Sequence, residues 1–229
     1  MDTTYELVRA AKGLLKRGNE SFRELYGLSV DDVYFQLQFV MADDENITQQ
    51  IEDFYVELSK SIYLLEVPDR VAEWLNTQML IFSARWLRKN RADLTRLEMS
   101  GAYDVKKVAE PYISGMEMED MEYIRNLAGF LRNLPEIHRQ TAIAFYYSNL
   151  SDETIKEYLF IDKPVLSKRT AYIEHKLNEE MRQVCLDRGF QMKTVTTQKI
   201  RTALFELSRA YKYPYKEELY SNISFKTGK

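Results

Sequence analysis

The chain is poor in the residues that build several common kinds of protein. It has one cysteine, Cys185, among 229 residues, which excludes an internal disulfide framework and a cysteine-based zinc site. A reducing, cytoplasmic setting is the expectation. Only five prolines and eight glycines occur, and alternating β-branched runs are absent. That combination excludes a sheet built from many short strands and favours an all-α chain. No apolar run approaches the roughly 18 residues that cross a bilayer, so no membrane association is expected. The first residues, MDTTYELVRAAKGLL, lack a signal peptide's layout. No phosphate-binding glycine loop, Gly-x-Ser-x-Gly elbow or His-Glu-x-x-His pair is present. Two histidines, His138 and His175, have no acidic cluster around them, and His175 reads as a surface residue. An enzyme, a cofactor and a metal site are therefore not expected.

Charged residues make up 29% and hydrophobic ones 45%, with a formal net charge of −3. That is a globular composition, and its charge argues against a protein that coats nucleic acid unaided. Charge is unevenly spread. The first sixty residues are acid-rich, Arg85–Arg96 is basic, and the chain after Gly189 has more Lys and Arg than Asp and Glu.

The most informative stretch is Leu134–Leu177. Ser151 precedes Asp152-Glu153 and the apolar Ile155 and Leu159. Its hydroxyl can accept an unbonded amide of a first helical turn, and the two acids suit the positive helix end. Asp162 can cap a second helix that opens at Pro164, where a missing amide costs nothing. Val165, Leu166, Ile173 and Leu177 give that helix an apolar side, and Gly189 is its natural stop. A short support helix, a tight turn and a polar-faced second helix have the physical form of a helix-turn-helix DNA reader.

Elsewhere the spacing predicts a helix through Leu7–Leu15, a short one around Ser21–Tyr26, and another capped by Ser29 through Met41. Further helices are predicted over Ile47–Leu65, from Asp69 through Leu87, over Met118–Leu131 and over Thr197–Tyr211. Trp74, the run Phe145-Tyr146-Tyr147 and Phe160 read as core. Tyr211–Tyr215 and the last ten residues read as loosely ordered. The expected architecture is two small helical domains: residues 1–92, a linker over 93–117, a helix-turn-helix domain over 118–188, and a C-terminal helical extension over 189–229.

This arrangement resembles the bacterial RNA polymerase sigma factors, specifically the two-domain extracytoplasmic-function type. Three places carry the resemblance. Gly18-Asn-Glu-Ser-Phe-Arg-Glu-Leu-Tyr26, followed by Val33-Tyr34, is similar to the opening of the family's first domain. Trp74-Leu75 with Arg88-Lys89 is similar to that domain's last helix. Leu134-Pro135, Arg139, Leu150-Ser151, Glu153, Ile155, Leu159, Ile161, Val165 or Leu166, Lys168, Arg169 and Leu177 follow the second-domain pattern. Departures are the Gln49 and Glu52 positions, Ile81 and Arg85 in place of an Asn and an Asp, and Pro164-Val165-Leu166 in place of Gly-Thr-Val.

The resemblance implies a transcription initiation factor with core RNA polymerase and promoter DNA as partners, and it leaves room for an anti-sigma factor. It places the helix from Pro164 in the major groove of the upstream promoter element, where base edges carry a full donor–acceptor code. Lys163, Ser167, Lys168, Arg169 and Thr170 are then candidate DNA contacts. It places Arg85, Arg88 and Lys89 on the single strand of the downstream element, which calls for a basic path. Gln49, Gln50, Glu52 and Asp53 would face the polymerase clamp. Two alternatives stay open on the residues: a stand-alone helix-turn-helix regulator, and a sigma-like adaptor that has lost promoter opening.

Overall fold

The computed structural model describes residues 3–15, 19–42, 45–90 and 116–227. Most of the expected linker, 93–115, lies outside the described residues, as do Gly18 and the Asp43-Asp44 pair. The protein is all-α. Its helices are α1 (Thr3–Leu15), α2 (Asn19–Met41), α3 (Ile47–Ser61), α4 (Val71–Asn90), α5 (Asp120–Arg132), α6 (Glu136–Ala142), α7 (Asp152–Leu159), α8 (Lys163–Arg188), α9 (Thr197–Arg209) and α10 (Lys216–Thr227). Short 3-10 turns at Ile62–Leu64 and Pro68–Arg70 lead from α3 into α4. A π-helical turn, Ile143–Tyr147, follows α6 directly. Among the described residues no helix is long and apolar enough to cross a membrane.

The chain forms two compact units. One comprises Met1–Ser83 with Tyr211–Lys229, the other Ala84–Ala210. The division therefore falls inside α4, and it splits the expected 189–229 extension after residue 210.

In the first unit α1 packs on α2, α2 on α3, and α10 on both α2 and α3. Phe22, Leu25, Phe35, Ile51, Phe54 and Tyr55 are fully buried at its centre. The two helices expected on either side of Gly27 are one continuous helix, α2. Gly27 is exposed, and a Cβ there would meet nothing, so no turn is forced. Ser29 is a mid-helix residue rather than a cap. Its hydroxyl donates to the Leu25 carbonyl at 2.7 Å and shares a 2.7 Å hydrogen bond with the Tyr55 hydroxyl. A serine bonded to the carbonyl four residues back is compatible with an unbroken helix.

The tail also departs from the sequence expectation. Residues 216–227 are helical and Tyr213, Leu219 and Ile223 are buried. Tyr211 packs edge-on against Tyr34 and Phe35. Tyr213 donates its backbone amide to Asp31 (2.9 Å), and its hydroxyl bonds the Thr48 hydroxyl (3.0 Å). Among the described side chains of α10 the buried apolar ones are Leu219 and Ile223, and the partners that order it lie on α2 and α3, far away in sequence.

In the second unit α9 packs on α5 and the π-helical turn, and α8 packs on α5, α6 and α7. Leu127, Leu131, Tyr146, Ile155, Ile173, Leu177, Ile200 and Leu204 are its buried heart. Gly189 ends α8 with φ 68°, and the Phe190 amide returns to the Cys185 carbonyl at 2.9 Å. This left-handed terminus is the role glycine fills without steric cost.

Candidate nucleic-acid interface

Helices α7 and α8 are separated by three residues, Phe160–Asp162. Both starts are capped by the side chains that the sequence nominated. Ser151 Oγ accepts from the Thr154 amide (3.1 Å), and Asp162 Oδ1 accepts from the Val165 amide (2.8 Å). Each cap contributes about 1 kcal/mol to its helix. Phe160 closes α7 in the left-handed region at φ 56°, and the Ile161 amide bonds back to Lys156 O at 3.1 Å. Ile155 and Leu159 of α7 and Leu166, Ile173 and Leu177 of α8 are buried in this unit.

The opposite side of the first turns of α8 is open. Lys163, Pro164, Ser167, Lys168 and Ala171 are exposed. Thr170 is half-buried, with its hydroxyl donating to Leu166 O (3.3 Å) and Ser167 O (3.1 Å). Lys163, Ser167 and Lys168 thus share an accessible helix face with small neighbours. A helix can approach phosphates or base edges along such a face.

Arg169 does not belong to that face. It is 3% exposed, and Nη1 lies 3.5 Å from Thr141 Oγ1 of α6. Burial pushes its guanidinium pKa down to about 10. The reason is register: Leu166, Arg169, Ile173 and Leu177 are spaced by three and four and form one buried stripe. Arg169 therefore joins α8 to α6 and is not a surface contact. Nearby, His138 is fully buried with its ring centroid 4.2 Å from that of Tyr172, and burial lowers its pKa to about 4. His175 is half-buried on α8, 3.4 Å from Glu179.

Arg85, Arg88 and Lys89, at the end of α4, are exposed. Arg88 is already engaged within its unit. Nη2 donates to Tyr158 O and Leu159 O, both at 3.3 Å, and the guanidinium carbon sits 4.6 Å from the centroid of the Phe160 ring. These carbonyls are the open acceptors at the C-terminus of α7, where a cation is favoured. Phe160, expected in the core, is 80% exposed. Of the other aromatic expectations, Tyr146 is buried, while Trp74, Phe145 and Tyr147 are half-buried.

On α3, Gln49 and Asp53 are exposed and bonded to each other (2.8 Å), and Gln50 is half-buried. Glu52 is buried, and its carboxylate pairs with Lys226 of α10. With Gln49, Gln50 and Asp53, Glu52 is expected on the face toward the polymerase clamp; the structure buries it instead. What covers it is a distant segment that no local pattern reveals.

Among the described residues no group of three or more His, Cys, Asp or Glu could hold a metal ion. No known protein family, curated protein or solved structure matches the chain.

Proposed function

We propose that the protein is a sigma-type transcription initiation factor that binds core RNA polymerase and directs it to promoter DNA. The observation that carries this reading is the α7–α8 pair. Both helices are side-chain capped, the turn between them is three residues long, and Lys163, Ser167 and Lys168 lie on the exposed face of α8. In this reading α8 enters the major groove of the upstream element. The lysines neutralise phosphate charge, while Ser167 and Thr170 lie near base edges. Gln49 and Asp53 of α3 face the polymerase clamp, and Arg85 and Lys89 lie along the opened strand. A net charge of −3 fits a factor that borrows most of its DNA affinity from the polymerase it recruits. The test is co-purification with core RNA polymerase followed by run-off transcription. A chain that neither binds core nor starts transcripts is not a sigma factor.

A second reading, a sigma-like adaptor that binds core without opening DNA, is favoured by two observations. Arg88 is bonded to the end of α7, and Glu52 is covered by Lys226. Permanganate footprinting separates the two. Reactive promoter thymines in the presence of core and this chain support initiation, and their absence with core bound supports the adaptor.

A further inference from the structure

The α2–α3 face of the first unit is acidic, and it is occupied by the chain's own C-terminal segment. Asp31 of α2 accepts from Lys216 Nζ (2.8 Å), Lys212 Nζ (3.3 Å) and the Tyr213 amide (2.9 Å). Tyr26 donates its hydroxyl to Lys216 O (2.8 Å), and Arg23 pairs with Glu217 (2.6 Å). Further along, Glu52 of α3 pairs with Lys226. Between these charges the segment inserts Leu219 and Ile223, four residues apart, and both are buried. With buried Tyr213 and with Tyr220 against Tyr26, these anchors form an apolar centre ringed by ion pairs, which is the anatomy of a protein–protein interface. Three of the tail's charged partners remain wet, Lys212 at 71%, Glu217 at 80% and Lys226 at 48% exposed, while Lys216 is half-buried. By contrast the Glu52 side chain is 7% exposed. Departure of α10 would uncover an acidic helix face on α3 together with the receiving site for two apolar anchors.

We infer that the α2–α3 face is a docking site for a lysine-flanked amphipathic helix of a protein partner, and that residues 211–227 occupy it as a built-in competitor. Charge complementarity selects the occupant: Asp31 and Glu52 meet Lys212, Lys216 and Lys226, and the apolar pair at i and i+4 matches helix-in-groove recognition. The partner competes against a tethered segment, whose effective concentration is set by the chain itself. The identification of that partner as core polymerase rests on the function proposed above, because α3 is the helix there assigned to the clamp.

The test uses the full chain and a labelled peptide with the sequence of residues 211–227. Two full-chain variants loosen the tail by different means. Leu219→Asp/Ile223→Asp removes the buried anchors, and Lys212→Glu/Lys216→Glu/Lys226→Glu reverses the surface charges and leaves the anchors in place. The peptide should bind both variants roughly tenfold or more tightly than it binds the unaltered chain, where the tail already fills the site. Added salt should weaken that binding. Core polymerase should show the same preference for both variants. A peptide that binds none of the three chains, or all three alike, overturns the docking site. Equal polymerase binding by all three, with the peptide still discriminating, overturns the competitor role. If no chain binds polymerase while the peptide discriminates, the docking site stands and the polymerase reading falls.

Discussion

Arg88 caps the helix that ends at Phe160. Its guanidinium donates to the Tyr158 and Leu159 carbonyls, 3.3 Å each, and covers one face of the Phe160 ring at 4.6 Å. The residue that the resemblance puts on the downstream strand is therefore a structural part of the α7–α8 turn. Arg88→Ala should destabilise the second unit by about 1 kcal/mol, from charge-assisted bonds and a partly exposed cation–π contact. Phe160→Gly should act oppositely, because a non-glycine residue at φ 56° costs roughly 1–2 kcal/mol and the 80% exposed ring buries little in return. Urea melts of the two variants decide it. A loss of stability in Phe160→Gly would mean that the Arg88 stack outweighs the backbone strain.

Neighbouring residues on α8 should separate cleanly in a mutational test. Lys168 is exposed and Arg169 is 3% exposed beside Thr141. Lys168→Ala should leave the melting temperature within experimental error, weaken DNA binding several-fold, and reduce the salt slope of log K by about 0.9. Arg169→Ala should cost on the order of 2–4 kcal/mol of stability through lost packing and lost bonding. Thermal melts read alongside fluorescence anisotropy on a DNA duplex distinguish the outcomes. Equal DNA-binding losses at unchanged stability would return Arg169 to the surface.

Within α2, two substitutions test the continuous helix. Gly27→Ala should stabilise the first unit by about 0.5–1 kcal/mol, since the site is exposed, helical and empty around the added Cβ. Ser29→Ala should cost about 1–3 kcal/mol, because it strands the hydroxyl of the fully buried Tyr55. Adding Tyr55→Phe to Ser29→Ala should recover part of that loss, so a double-mutant cycle measures the pair directly. A broken helix at Gly27 would instead make Gly27→Ala destabilising.

What could be read in advance was what is local. Ser151, Asp162 and Gly189 act within a few residues of themselves, and their side-chain chemistry names the helix ends they make. The resemblance puts Arg169 among the DNA contacts, although its register with Leu166, Ile173 and Leu177 lies in the sequence and points to the core. Spacing is better evidence of facing than charge when the two disagree. Ser29 invited a cap assignment because serine favours helix starts, and only its partner on another helix, Tyr55, shows why it sits mid-helix. The 211–227 segment was beyond local reading. Leu219 and Ile223, four apart, make a weak stripe, and Tyr26, Asp31, Thr48 and Glu52 hold the segment from the other end of the chain.

His138 gives the second unit a pH dependence of known sign. It is fully buried, and burial lowers its pKa from 6.5 to about 4. The unfolded chain binds the proton more readily than the folded one between those values, so this contribution is complete above about pH 6.5. It is lost as the pH falls toward 4, where the loss reaches on the order of 3 kcal/mol. The neutral ring packed at a tilt against Tyr172 is the form that the folded unit holds. His138→Phe keeps an aromatic ring there and cannot be protonated. Urea melts between pH 7 and pH 4 should therefore show a steep loss for the unaltered chain and a shallower one for this variant. Parallel slopes would assign the chain's acid sensitivity to carboxylates elsewhere, such as Asp31 of the first unit. There, burial alone would raise the pKa, and bonds from Lys216, the Tyr213 amide and Lys212 instead hold it below the usual range.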